Sequence, residues 1–374
     1  MIVETKEFKQ ICSKILSAID SSSIDTNITD TLELESKNGL LYLNVTNKEY
    51  YVSVFFPTNI NDNLKATIAA TTFLKLISQI TTSEIELKVD NNSLNIKGNG
   101  NYKLPLIFNN DKLMELPKIE IINKTLTTTI DKSILDSIIN YNSKEIIKEN
   151  ITKPVQKMYY IDDEGCITFT GTGACVNEFK LNTQFKILLN NKIIKLFKLF
   201  KSDIIYFDLG YDALSDNIIQ TKIKLYDGEI ELTAILSCDD SLINSVPVKA
   251  IRNKTEFNYP YSIVLDKNLL SQALNRLMVF TKNNTNIIYN YYNFKFNQNN
   301  LIISDSSDIN TEIIEYQNGV NLNQNYSTML NINELKLILD GCSDQYVTIL
   351  FGNNSSILIT RNNIKNILME YSKD

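Results

Sequence analysis

Glu334-Leu-Lys-Leu-Ile338, followed by Gln345-Tyr-Val-Thr-Ile-Leu-Phe351 and Ser355-Ser-Ile-Leu-Ile359, decides how the rest of the chain reads. It joins a lysine-bearing aliphatic helix to strand-like alternation, and two earlier segments repeat it. Phe73-Leu-Lys-Leu-Ile77 precedes Ser83-Glu-Ile-Glu-Leu-Lys-Val89 and Asn92-Ser-Leu-Asn-Ile96, and Ile193-Ile-Lys-Leu-Phe197 precedes Ser202-Asp-Ile-Ile-Tyr-Phe-Asp-Leu209. A second signature stands upstream of each. Thr5-Lys-Glu-Phe-Lys-Gln-Ile11, Asp131-Lys-Ser-Ile-Leu-Asp-Ser-Ile138 and Asp266-Lys-Asn-Leu-Leu-Ser-Gln-Ala273 each open with a capping-type residue and continue at helical i, i+3, i+4 spacing. Thr5, Asp131 and Asp266 lie 126 and 135 residues apart, close to a third of the 374-residue chain. Three copies of one domain, at 1–122, 123–252 and 253–374, is the simplest account.

Between the helices the period changes to two. Leu32-Glu-Leu-Glu-Ser36, the run from Asn38 to Val45, Tyr50-Tyr-Val-Ser-Val-Phe-Phe56, Glu84-Ile-Glu-Leu-Lys-Val89 and Lys222-Ile-Lys-Leu-Tyr226 read as strands punctuated by Asn-Gly, Asp-Asn-Asn and Asp-Gly turns. Each third is therefore expected to hold two helices and about eight short strands in two β-rich halves, an α+β fold. Leu116-Pro-Lys-Ile119 and Ala250-Ile-Arg-Asn-Lys-Thr255 interrupt the alternation and read as linkers.

The composition excludes several classes. With 43% apolar and 21% charged residues the chain can pack an ordinary core, so disorder and collagen-like structure are out. It has no histidine, so catalysis would have to run on carboxylates, Lys, Tyr or Cys. Cys12, Cys166, Cys175, Cys238 and Cys342 form no CxxC pair, which argues for reduced, buried thiols and against a disulfide framework or zinc site. Acidic residues in Met-Ile-Val-Glu-Thr-Lys-Glu7 do not suit a signal peptide, and no apolar run reaches membrane-span length. A cytoplasmic protein without metal or cofactor is expected. Asp162-Asp163-Glu164 and Asp239-Asp240 are the tight acidic clusters, and their neighbours suggest turns.

The helices lean basic although the net charge is −6. Lys6 and Lys9 lie off the stripe of Phe8, Ile11, Cys12 and Ile15. Lys192, Lys195, Lys198 and Lys201 recur every third residue, and Lys75, Lys132, Lys267, Arg276 and Lys336 hold comparable places. One such helix is only a solvated face. Its recurrence in three repeats suits non-specific attraction of duplex DNA, because lysines hold phosphates without reading bases.

The repeats resemble the bacterial-type DNA polymerase sliding clamp, the beta subunit of the replicase, over essentially the whole chain. Lys153-Pro-Val-Gln-Lys-Met-Tyr-Tyr160 and Cys166-Ile-Thr-Phe-Thr-Gly-Thr-Gly-Ala-Cys-Val176 are similar to that family's Arg-Pro-(aliphatic)-Leu segment and its Phe-Thr-Ala-Thr-Asp-(Gly/Ser)-His-Arg-Leu strand. Met329-Leu-Asn-Ile-Asn-Glu-Leu-Lys-Leu-Ile-Leu-Asp340 and Asn366-Ile-Leu-Met-Glu-Tyr371 follow in the family's order. The resemblance implies three clamp domains, each with two helices and two antiparallel sheets, closing into a ring by head-to-tail dimerisation. It implies a non-enzymatic processivity factor that encircles double-stranded DNA and serves a replicative polymerase and a clamp loader in a bacterial cell or phage-infected host. Val279 and Phe280 would then dock onto a partner copy's edge strand at Tyr102 and Leu104. A peptide-binding pocket would be lined by Gln156, Thr172, Gly173, Cys175, Val176, Asn177, Pro247, Ile251, Ile367, Met369 and Tyr371. Cys175-Val176-Asn177 stands where the family has His-Arg-Leu, so the preferred peptide should differ. Two other readings are an enzyme built on the acidic clusters and a β-rich structural or virion protein.

Overall fold

The computed structural model describes the chain except residues 20–25, 59–63, 143–152, 182–183, 216–217, 237–239, 281–289, 319–321, 323–324, 354 and 372–374. One order of elements recurs three times among the described residues: strand, helix, four strands, helix, three strands. The first copy runs from strand Ile2–Glu4 and helix Thr5–Leu16 through four strands between Thr31 and Ala69. Helix Ala70–Gln79 and strands Glu84–Val89, Ser93–Lys97 and Asn101–Pro105 complete it. In every copy the strand before the first helix pairs with the strand after the second. The four middle strands take the spatial order fourth, first, second, third. The α+β reading and the threefold repeat are thus realised as antiparallel sheets throughout.

By compactness the chain divides into one unit of Met1–Leu135 with Lys195–Ser237 and another of Asp136–Ile194 with Cys238–Asp374. In the first unit, strand Ile230–Leu236 pairs with Tyr50–Pro57 through Leu232 opposite Val52, fusing sheets of two repeats into eight strands. Helices Thr5–Leu16 and Ala70–Gln79 bury Phe8 and Phe73 edge to face, with ring centres 6.1 Å apart. In the second unit, strand Gly173–Glu178 pairs with Ile364–Met369, with Val176 opposite Lys365, and builds the equivalent eight-stranded sheet. Helices Lys267–Met278 and Ile332–Asp340 cover a core in which Phe296 and Phe351 stack at 4.1 Å.

Local chemistry explains the turns. Asn38 (φ 55°) and Gly39 (φ 74°) form the hairpin that their dipeptide foretells, since both central residues must be left-handed. Gly165 has no room for a side chain: a Cβ there would lie 2.2 Å from the Asn177 carbonyl oxygen on the paired strand. Asp266 and Asn331 cap their helices, each accepting two backbone N–H bonds through its side chain. Thr5 does not cap. Glu4 holds that place without a side-chain bond, and the buried Thr5 hydroxyl has no partner among the described residues.

Several expectations shift. The segment read from Asp131 is helix Lys132–Ser137 continued by a wide turn, Ile138–Asn142. The lysine-rich helix Asn191–Leu196 tightens into a 3₁₀ turn, Phe197–Leu199. Three residues per turn there bring Lys195 and Lys198 nearly into line, where an α-helix would splay them. Residues 250–255, read as a linker, lie in helix Val248–Thr255, whose buried Ile251 and Thr255 form a stripe hidden among charged residues. The boundary placed at 252 falls within that helix. The other linker is bare of regular structure and strapped to its sheet. Buried Glu33 accepts the Leu116 N–H at 3.0 Å, and Asp212 accepts those of Ile122 and Asn123 at 3.1 and 3.0 Å. Burial pushes the Asp212 carboxyl up, but Lys222 and these amides outweigh it and hold it below the ordinary range. Cys12, Cys166, Cys175 and Cys342 are buried free thiols; Cys238 and Asp239 lie outside the described residues. Among the described residues, no helix is long and apolar enough to cross a membrane.

Candidate functional site

Three features carry the site: the first lies within the second unit, and the other two have separate parts in each unit. The first is a buried apolar cluster in the second unit, whose half-buried rim is the candidate groove. Strand Gly173–Glu178 alternates, so Ala174 and Val176 enter one buried cluster with Tyr160, Leu358, Ile251 and Ile367. Met369, Leu242, Ile243 and Val248 pack at its half-buried rim, and Pro247 stands exposed just before helix Val248–Thr255. Val176, Ile251, Ile367 and Met369 are therefore brought together as expected from the resemblance.

Other residues assigned to the pocket go elsewhere. Cys175 and Asn177 belong to the opposite strand face: the Asn177 amide donates to Ser137 Oγ (2.9 Å) and Asn142 Oδ1 (3.2 Å). Gln156 is spent on its own turn, its Oε1 accepting the Lys153 N–H at 3.0 Å, and neighbouring Val155 enters the cluster instead. Gly173 closes a tight turn with Thr170. Tyr371 lays its ring against Tyr291, 5.0 Å between centres. Thr172 donates its hydroxyl to Glu334 Oε1, and its carbonyl accepts the Met369 N–H at 2.8 Å.

Beside the groove, a cleft of about 520 Å³ runs from Tyr160, Val246 and Val248 to a charged end. There Arg252 donates to both oxygens of Asp162 (2.7 and 2.9 Å) and contacts Glu164 at 2.5 Å. Burial works against the Arg252 charge, but Asp162 and Glu164 more than restore it. Asp162 does end a strand before a turn, yet it is almost fully buried. Sequence reasoning missed this pair because 90 residues separate its members. It also missed Leu242, Ile243, Val246 and Val248, whose apolar spacing around Pro247 was the available signal.

The second feature is the basic helix faces. In the first unit Lys6, Lys75, Lys195, Lys198 and Lys201 are exposed, and Lys9 and Lys132 are half-buried. Lys6, Lys9, Lys75, Lys195 and Lys198 have no carboxylate partner among the described residues. In the second unit Lys192 is exposed, but three other cations are already engaged. Lys267 donates to the Cys342 carbonyl at 3.1 Å, Arg276 forks onto Glu312 at 2.6 and 2.7 Å, and Lys336 pairs with Asp340.

The third feature is a pair of sheet edges. Strand Asn101–Pro105, with half-buried Tyr102 and Leu104, ends one four-stranded sheet of the first unit, and strand Thr311–Glu315 ends one of the second. Neither has an outer partner among the described residues. Val279 and Phe280, at the end of helix Lys267–Met278, are 61% and 57% exposed. That exposure leaves both side chains outside the core of their own unit.

Comparison with known proteins gives the fold a name. No protein-family model and no curated protein matches the chain. Solved structures do. The DNA polymerase III subunit beta from Pseudomonas aeruginosa is 14% identical with a TM-score of 0.82, each chain covered in full. The beta subunit from Thermotoga maritima is 16% identical at 0.76, with 100% of this chain and 99% of the other covered. The Helicobacter pylori beta clamp, solved bound to a DNA ligase peptide, is 15% identical at 0.72 over the same shares. From end to end, the chain has the fold of the DNA polymerase III beta sliding clamps.

Proposed function

We propose that the protein is a DNA sliding clamp: two copies join head to tail into a ring around duplex DNA, and the groove tethers a replicative polymerase and other replication or repair proteins. The sheet edges carry this reading. Each repeat offers one edge from its last strand and one from its third middle strand. Two joins between such edges are made within the chain, Ile230–Leu236 with Tyr50–Pro57 and Ile364–Met369 with Gly173–Glu178. Asn101–Pro105 and Thr311–Glu315 are the one edge of each kind left over. An unpaired edge is a template for another chain, and a second copy supplies both complements at once. Exposed Val279 and Phe280 supply the apolar contact beside that join.

The three domains are then 1–122, 123–252 and 253–374, with the exposed lysines toward DNA. The protein does no bond chemistry, since enclosure of the duplex replaces tight binding, and it works in the cytoplasm with a clamp loader. The groove takes apolar peptide anchors, and a Helicobacter pylori clamp solved bound to a DNA ligase peptide supports a peptide as the ligand. Negative-stain microscopy of the purified protein is expected to give closed rings with a hole wide enough for duplex. Solid particles, or large assemblies formed without DNA, would reject the clamp in favour of a structural protein. Changing Lys192, Lys195 and Lys198 together to Glu is expected to reduce retention on closed circular DNA about tenfold or more while the ring stays folded. Unchanged retention would move the DNA surface off this helix.

A further inference from the structure

Glu334 sits in the first turn of helix Ile332–Asp340 with only 9% of its surface exposed. Its Oε1 accepts from Thr172, while its Oε2 is closed off from solvent and has no hydrogen-bond partner among the described residues. Charges on the elements packed around it are engaged elsewhere. From helix Lys267–Met278, Lys267 binds the Cys342 carbonyl and Arg276 binds Glu312. From strand Ile364–Met369, Lys365 pairs with Glu178, and on its own helix Lys336 pairs with Asp340. From strand Tyr326–Asn331, Tyr326 donates to Glu370 at 2.6 Å. Burial and, after it, a Glu334 charge oppose ionisation of the Tyr291 phenol, and the Tyr371 ring lies against that phenol.

We propose that Glu334 is a positioning residue of the peptide groove: as a neutral carboxyl it latches residues 170–173, and it releases them when it ionises. The proposal rests on the groove reading above. Through Thr172 the latch reaches the Met369 N–H, and Met369 forms the groove's rim. A charged carboxylate left here without a cation would carry its full desolvation penalty, so ionisation drives the side chain out toward water and breaks the Thr172 bond. Burial raises the Glu334 carboxyl above the ordinary carboxylate range, against the opposing effect of Thr172. A carboxyl raised in the folded state stabilises fold and latch at low pH, and that contribution is lost as pH rises through the folded-state value.

The chain has no histidine, so few other groups titrate between ordinary carboxylates and thiols. Glu370 is the competitor, since burial raises it too and its Oε1 has no partner among the described residues. The test is calorimetric binding of an N-acetylated, C-amidated peptide with leucine and phenylalanine anchors and no ionisable side chain, from about pH 5 to about pH 8. Wild type is expected to lose about tenfold in affinity across that range. Glu334→Gln should keep the tighter, acid-form affinity throughout, and Glu370→Gln should titrate like wild type. Flat wild-type binding, or a Glu334→Gln profile that still titrates, overturns the latch. If the peptide binds none of the three proteins at any pH, the groove reading fails, and thermal melting then judges the latch alone. The melting gap between Glu334→Gln and wild type should widen with pH, and a constant gap overturns it.

Discussion

Phe280→Asp yields a folded monomer. Phe280 ends a helix with more than half its surface in water, so the substitution removes no core packing. In the proposed dimer the same ring is buried against Tyr102 and Leu104 of the partner's edge strand, and a carboxylate there would have to shed its water against apolar groups. An anchor of this kind contributes about 2 kcal/mol or more, so the dissociation constant should rise at least ~30-fold. Sedimentation velocity at micromolar protein reads the outcome directly. Dimer mass retained by the variant would exclude this helix end from the interface.

Arg252→Ala should give the largest loss of stability among single changes around the groove. Asp162 has 4% of its side chain exposed and relies on both oxygens meeting the Arg252 guanidinium. Removing one member of such a pair strands a buried charge, at about 3 kcal/mol. Glu164, with 63% of its side chain exposed, loses little. The melting midpoint of the unit should fall by about 6 °C or more. Adding Asp162→Leu to Arg252→Met removes both charges and should recover most of the loss, because apolar groups of similar size replace such pairs well. Calorimetry showing Arg252→Ala within about 0.5 kcal/mol of wild type would mean the pair does not hold in solution.

Local patterns were legible wherever the signal is local. Period-two runs became strands, Asn38-Gly39 became its hairpin, and Asp266 became a cap. Partnership at a distance was not legible. Nothing near Asp162 announces Arg252, and nothing near Thr172 announces Glu334, 162 residues away. Glu334 sits where a helix's first turn favours an acid, so nothing in the sequence marks it as buried. Resemblance placed Cys175 and Asn177 in the pocket by position, but strand alternation sends every second side chain to the other face. Helix Val248–Thr255 was hidden because its charged residues outnumber the two that it buries.

The fused sheets have a consequence for how the chain comes apart. Each compact unit takes one complete repeat together with half of the middle one, so the cooperative unit is not the repeat. Hydrogen exchange should therefore report protection that changes inside the middle third rather than at its ends. Residues 123–252 expressed alone would lose the strands that complete both their sheets, exposing two raw edges to aggregation. Evolution can duplicate such a domain, but once its copies share sheets, none can be lifted out intact.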